Sequence, residues 1–297
     1  MVIGELAALG TALLWTGSYL FFTVAVRRVG ADVVNRLRLL IALVCLLIVH
    51  WAVLGTPVPL DASGVAWLWL VLSGVVGFAV SDAFLFRALY HLGPHRTSLV
   101  TSMIPVTSAL FAWWFFGEGM TVLQMLAGGI VVCGIVLVVS ARHSGQGLPA
   151  SRRVGLGVLF AFGTVVTQSA RYMFSVQGMN AGVPVLSTNV IQILAATIAA
   201  WVVAIPVRQT VPTLRALGDR RAALCTAAGA IVGPFLGVTL SLVALSGASV
   251  GVASTLMAMV PVFLLPFSWL LFGERITMRT VAGTALAVGG VAGLLLS

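Results

Sequence analysis

The sequence contains no lysine: all 16 basic residues are arginine, and they face only 7 Asp or Glu. These 23 charges make up 8% of the 297 residues, whereas a soluble domain carries about 25%. A water-facing surface cannot be assembled from so little charge, which excludes a soluble enzyme. Without lysine there is also no Gly-rich, Lys-containing phosphate loop, so an ATP-driven pump would need a separate subunit. Cysteine is scarce too. Cys45, Cys133 and Cys225 each sit inside an apolar run, where they read as small hydrophobes rather than bridges. The four histidines, His50, His91, His95 and His143, fall at span ends or in loops with no acidic cluster and no ligand spacing. Neither a metal site nor a cofactor is expected.

Apolar sequence is abundant. Hydrophobic residues make up 60% of the chain and the mean hydropathy is +1.14, the composition of an all-α integral membrane protein. At about 20 residues per span, breaks at Gly, Pro, Asn or charge leave ten helices. They are expected near 3–25, 34–54, 65–87, 97–116, 121–140, 154–175, 184–205, 222–245, 249–272 and 277–296. The first four residues lack the basic n-region of a signal peptide, so the first apolar run is expected to be retained as a span. The longest mid-chain polar stretch divides the chain into 1–140, a linker at 141–153, and 154–297.

The arginines alternate. Loops one, three, five, seven and nine hold 15 of them, and loops two, four, six and eight hold none; Arg171 lies within the sixth span. Such loops stay cytoplasmic, so both termini are expected in the periplasm and the linker inside. Scattered one or a few per loop, these charges fit membrane orientation rather than nucleic-acid binding. The charge bias also reverses between the halves: loop one is rich and loop six empty, loop two empty and loop seven rich. Two halves of like hydropathy and opposite bias should insert in opposite directions.

Sliding the chain against itself by 156 residues aligns Leu85–Glu118 with Ser241–Glu274 without a gap, with eleven of thirty-four positions identical. Pro105 pairs with Pro261, Trp113 with Trp269, and Gly117-Glu118 with Gly273-Glu274. An odd number of spans per copy makes the repeats inverted, the architecture of secondary transporters, which bind substrate near the midplane. In these residues, from Ala88-Leu89 through Pro105 to Gly117-Glu118 and from Ala244-Leu245 through Pro261 to Gly273-Glu274, the chain resembles the ten-helix, EamA-type members of the drug/metabolite transporter superfamily. It departs from their pattern at Trp15-Thr16-Gly17, where members often have adjacent Trp-Gly. Arg38 matches an Arg that often opens the second helix, with no counterpart in the seventh. The resemblance implies a small-molecule carrier of the inner membrane, usually an exporter of metabolites, amino acids or drugs.

Several residues are candidates for that work. Pro105 and Pro261 are expected mid-helix, where each frees a backbone carbonyl and allows bending; Gly233-Pro234 in the eighth span is a comparable break. Gly229, Gly233 and Gly237 form a small-residue stripe suited to close packing within the chain. Asp82 and Arg171 are charges inside spans, where an ionised group is costly and marks a wet cavity or a partner. From the span edges their depths differ by about 15–20 Å at 1.5 Å per residue, so they are not expected to pair. Asp82 should meet Arg36, Arg38 or Arg87, and Arg171 should meet Glu5. Asp82 reads either as a structural ion pair or as a proton or substrate site, and Arg171 either as an anchor at the interface or as the partner of an anionic group such as a carboxylate.

Trp15, Ser18 and Tyr19 share one face of helix one, as Gln168, Arg171 and Tyr172 do on helix six. Phe78, Thr101 and Met257 complete the expected pathway. Asn189 and Gln192 read as interhelical hydrogen bonds, and Thr121 and Thr277 as caps of helices five and ten. The expected function is a secondary carrier, monomeric or homodimeric, with a small-molecule substrate, the lipid bilayer as its solvent and proton coupling as an option. The alternative is a polytopic membrane enzyme or lipid flippase component; an enzyme would cluster Asp, Glu or His at the bilayer edge, and this chain only scatters them.

Overall fold

The computed structural model describes residues 2–104, 106–108, 110–111, 121–140, 154–247, 256–257, 259–272 and 277–296. Pro105, the linker at 141–153, Gly117-Glu118 and Gly273-Glu274 lie outside the described residues. All regular structure among the described residues is helical. In chain order the helices are α1 (Val2–Val29), α2 (Ala31–Leu54), α3 (Gly64–Leu92) and α4 (Pro94–Thr101). They are followed by α5 (Val122–Ser140), α6 (Val154–Met179) and α7 (Val185–Ala204). A short connecting helix, Thr210–Arg215, precedes α8, which has three segments: Arg220–Ala230, Ile231–Gly237 and Val238–Gly247. The last two helices are α9 (Val260–Phe272) and α10 (Met278–Leu296).

Six of these, α1, α2, α3, α6, α7 and α8, contain stretches long and apolar enough to cross a bilayer. Their ends follow local chemistry. Gly30 alone connects α1 to α2 with φ +88°, a left-handed value that a Cβ would strain. Ser63 Oγ caps α3 by accepting from Ala66 N–H at 3.2 Å, and Asp219 caps α8 by accepting from Ala222 N–H at 3.0 Å. Thr277 Oγ1 accepts from Thr280 N–H at 3.2 Å and caps α10, as its position before the helix suggests.

Two spans are not uniformly α-helical. Val75–Ser81 in α3 and Ile231–Gly237 in α8 are π-helical, wider turns that leave some backbone carbonyls poorly served within the helix. In α8 the cause is Pro234, which has no N–H to donate. In α3 there is no proline, and side chains from α2 take up the carbonyls instead. Asn35 Nδ2 donates to Ala79 O at 3.0 Å, and Arg38 Nη2 to Phe78 O at 3.2 Å.

Packing pairs the helices across the two halves of the chain. α1 lies against α8 and α9, and α6 against α3 and α4. α2 meets α7, α4 meets α9, and α5 meets α10. The α5–α10 contact is close because Gly134 and Gly283 face each other: a Cβ on Gly134 would stand 2.5 Å from Gly283 O. Much of the remaining apolar surface is exposed, including Val122, Leu126 and Val136 on α5, as lipid-facing helices require. Cys133 is on the exposed surface of α5, while Cys45 and Cys225 are half-buried.

Candidate substrate site

The centre of the assembly is built on the π-helical stretch of α3. Its backbone brings Phe78 and Asp82, four residues apart, onto one buried face. Asp82 forms an ion pair with Arg38 of α2, both buried. Arg38 is held from three further directions: its Nε donates to Asn35 Oδ1 at 3.2 Å, its Nη2 to Phe78 O, and its guanidinium lies 5.2 Å from the centre of the Phe86 ring. A paired and hydrogen-bonded charge is what burial in a bilayer demands.

Arg171 enters from α6. Its stem packs directly on Gly77, where an added Cβ would come 1.8 Å from Arg171 Cδ. Its guanidinium lies over Phe78, 4.3 Å from the ring centre, and 5.0 Å from that of Tyr172. The side chain makes no hydrogen bond or ion pair with the described residues, and its Nε is buried without a partner. It sits within electrostatic reach of Asp82 and Arg38. Tyr19 of α1 completes the group, its hydroxyl 3.2 Å from Thr101 Oγ1 of α4, with Asp82 and Tyr172 as electrostatic neighbours.

Two expectations are corrected by this geometry. Arg171 does not meet Glu5, and it is not far from the level of Asp82. Gly77, on which Arg171 packs, precedes Asp82 by five residues, about 7 Å at 1.5 Å per residue. The discrepancy comes from the end of α3, which runs to Leu92 rather than stopping near 87 and so sets Asp82 deeper. Pro261 is the second described residue of α9, and Pro266 lies inside that helix. Pro261 O also accepts a contact from buried His95 Nδ1 at 3.1 Å, tying α9 to α4.

The remaining candidates make the following contacts. Ser18 Oγ donates to Gly229 O at 3.1 Å, and Phe22, Ser18 and Trp15 fit against Gly229, Gly233 and Gly237. The glycine stripe thus packs within the chain. Trp15 also joins an apolar cluster with Ala12, Val260 and Leu264, and Met257 packs against Ala7, Ala8 and Ala244. Gln168, one turn before Arg171, is half-buried and its Oε1 has no partner. Gln192 does form interhelical bonds, donating to Ser73 Oγ at 3.1 Å and to Ser175 Oγ at 2.7 Å. Asn35 and Phe86 were not singled out from sequence. Asn35 stands one turn before Arg38, but nothing in its spacing tells that its amide would reach a carbonyl of another helix.

The profile of the EamA-like transporter family matches the chain twice, over residues 2–140 and 155–296. A protein of Archaeoglobus fulgidus described as an uncharacterized transporter is 25% identical over 72 residues. That alignment spans 24% of this chain and only 27% of the relative. A solved crystal structure is similar over 99% of this chain and 96% of its own, with a TM-score of 0.65 at 21% identity, a likeness of fold. With two family matches along its length and helices suited to repeated membrane crossing, the chain belongs to the EamA-like transporter family of the drug/metabolite transporter superfamily and is a multi-pass membrane protein.

Proposed function

We propose that the chain is a secondary carrier of the cell inner membrane that exports small metabolites, amino acids or drugs by alternating access. Its units are two inverted repeats of five spans, residues 1–140 and 154–297, joined by the linker at 141–153. The observation that carries this reading is the equivalence of the two π-helical stretches. Val75–Ser81 and Ile231–Gly237 stand 156 residues apart, the offset that aligns the repeated sequence. Each presses against the first helix of the other half, Gly77 on Arg171 of α6 and Gly233 on Ser18 of α1. The packing has the matching symmetry: shifting each helix by five exchanges α1–α8 with α6–α3 and α1–α9 with α6–α4, while α2–α7, α4–α9 and α5–α10 exchange with themselves.

In this reading the substrate binds between the repeats, at Arg171, Tyr172, Phe78, Asp82, Tyr19 and Thr101. The halves close in turn, bending at Gly233-Pro234 and beside Pro105 and Pro261. Both termini face the periplasm, as the arginine pattern requires. Asp82 is the candidate for proton coupling, with Arg38 as the cation that an arriving proton would release. One chain contains both repeats, so a monomer suffices, and a homodimer would pair complete carriers.

Reconstitution into proteoliposomes with a metabolite panel, with and without an imposed pH gradient, tests the proposal. Flux into the proteoliposomes that follows the gradient and is lost on its collapse is the expected result. A chain that moves no panel member across any gradient would sink the carrier reading.

A further inference from the structure

We infer that the carrier's ligand is an amphipathic monocarboxylate whose carboxylate is held by Arg171, and that an α-ammonium group weakens binding. The inference rests on the carrier reading only in placing the ligand at this site. Its basis is a charge tally. Three charged groups meet here, and Asp82 is already engaged by Arg38 in a buried pair. Arg171 is left as one positive charge with no hydrogen bond or ion pair among the described residues. An isolated cation in a bilayer is costly and calls for an anion.

The stereochemistry narrows the anion. The Arg171 guanidinium lies 4.3 Å from the Phe78 ring centre and 5.0 Å from that of Tyr172, and its N–H groups, unspent on the described residues, suit a carboxylate, which a planar guanidinium can meet with two parallel hydrogen bonds. The half-buried Gln168, three residues earlier on the same face of α6, brings a side-chain amide with N–H donors to that side of the helix. Tyr172, which is exposed, and the half-buried Tyr19 offer ring surface to the rest of the ligand. A single unpaired positive charge is balanced by a monoanion. An amino acid would bring in an ammonium as well, and the one carboxylate near it already belongs to Arg38. The site therefore separates a carboxylic acid from the amino acid of the same skeleton.

The test uses four probes that share one phenyl–three-carbon skeleton and differ in their polar groups: 3-phenylpropionate, 3-phenylpropanamide, 3-phenylpropylamine and L-phenylalanine. Their binding to the purified full-length chain is read by equilibrium titration and thermal stabilisation. 3-Phenylpropionate should bind at least tenfold more tightly than each of the others, and Arg171→Gln should reduce it to the level of the amide. Arg171→Lys, which keeps the charge without the planar fork, should weaken the carboxylate alone; this variant decides the matter should the glutamine variant fail to fold. Equal binding of the amide or of phenylalanine overturns the inference, as does an unchanged preference in either variant. Carboxylate binding without flux in proteoliposomes would remove the carrier reading and leave this inference standing, whereas flux that ignores probe charge would do the reverse.

Discussion

The α3–α6 and α8–α1 crossings have the same geometry and different chemistry. In the second, three glycines at four-residue spacing, Gly229, Gly233 and Gly237, receive Phe22, Ser18 and Trp15. In the first, the positions 156 residues earlier are Ser73, Gly77 and Ser81, and the partners are polar: Ser73 Oγ lies 2.8 Å from Ser175 Oγ, and Ser81 Oγ donates to Thr164 O at 3.2 Å. Where α8 has Pro234, α3 has Phe78, the platform for Arg171. Close approach thus needs only a small residue at the centre of each crossing. The flanking residues are free to diverge, so one crossing became a hydrogen-bonded, charged wall and the other a packed apolar one.

The largest effect should come from the charged side. Asp82→Asn leaves Arg38 buried without its carboxylate, and breaking such a pair costs about 3–5 kcal/mol. Denaturation in detergent should show a loss of that order, with no single substitution at the α8–α1 crossing matching it. A variant as stable as the parent would mean that the bonds to Phe78 O and Asn35 suffice to hold Arg38, and the contrast between the crossings would shrink accordingly.

Next come the two central glycines. A Cβ at Gly77 would meet the stem of Arg171, and a Cβ at Gly233 would meet Ser18 Oγ at 2.3 Å. Overpacking of this kind costs about 1–3 kcal/mol, so Gly77→Ala and Gly233→Ala should lower stability alike. Only Gly77→Ala should also change ligand affinity, because it moves Arg171 off Phe78. A loss of affinity in both variants, measured by titration, would show that the site is shared evenly between the crossings.

The smallest effect is expected at the membrane surface, where Arg28 of α1 and Asp219 at the start of α8 form an exposed ion pair at 2.8 Å. The Ala222 N–H and the Arg28 guanidinium hold the Asp219 carboxyl below the usual carboxylate range, which lies near about 3.9. A lowered value means that its contribution is complete above that range and disappears as pH falls through the lowered value. Asp219→Asn should therefore reduce the melting temperature slightly and equally at pH 7 and pH 5, and the difference from the parent should fade in stronger acid. A difference that grows on acidification would have the wrong sign for this pair.

Much of this architecture can be read from residue spacing. Apolar runs between Gly, Pro and charge locate the helices, the stripe at Gly229, Gly233 and Gly237 signals a close crossing, and Asp82 needs a cation of which Arg38 is one. What spacing does not reveal is the π-helical turn in α3. It has no proline, and its carbonyls are met by Asn35 and Arg38 of another helix, 44 and 40 residues away. The level of Arg171 relative to Asp82 is not legible from spacing either, because Arg87 looks like the end of a span, whereas α3 continues for another turn and Arg87 pairs outward with Asp32 at 2.7 Å.

The Arg38–Asp82 pair also bears on how the chain enters the membrane. The two residues are 44 apart in sequence, so during synthesis Arg38 emerges from the ribosome well before its carboxylate exists. At about 5–20 residues per second, the delay is roughly 2–9 s. Through that interval α2 carries an uncompensated arginine that lipid does not accept, and the insertion machinery must shelter it until α3 arrives. The second and third helices then partition into the bilayer as a neutral pair, which makes the order of synthesis itself part of how this protein reaches its fold.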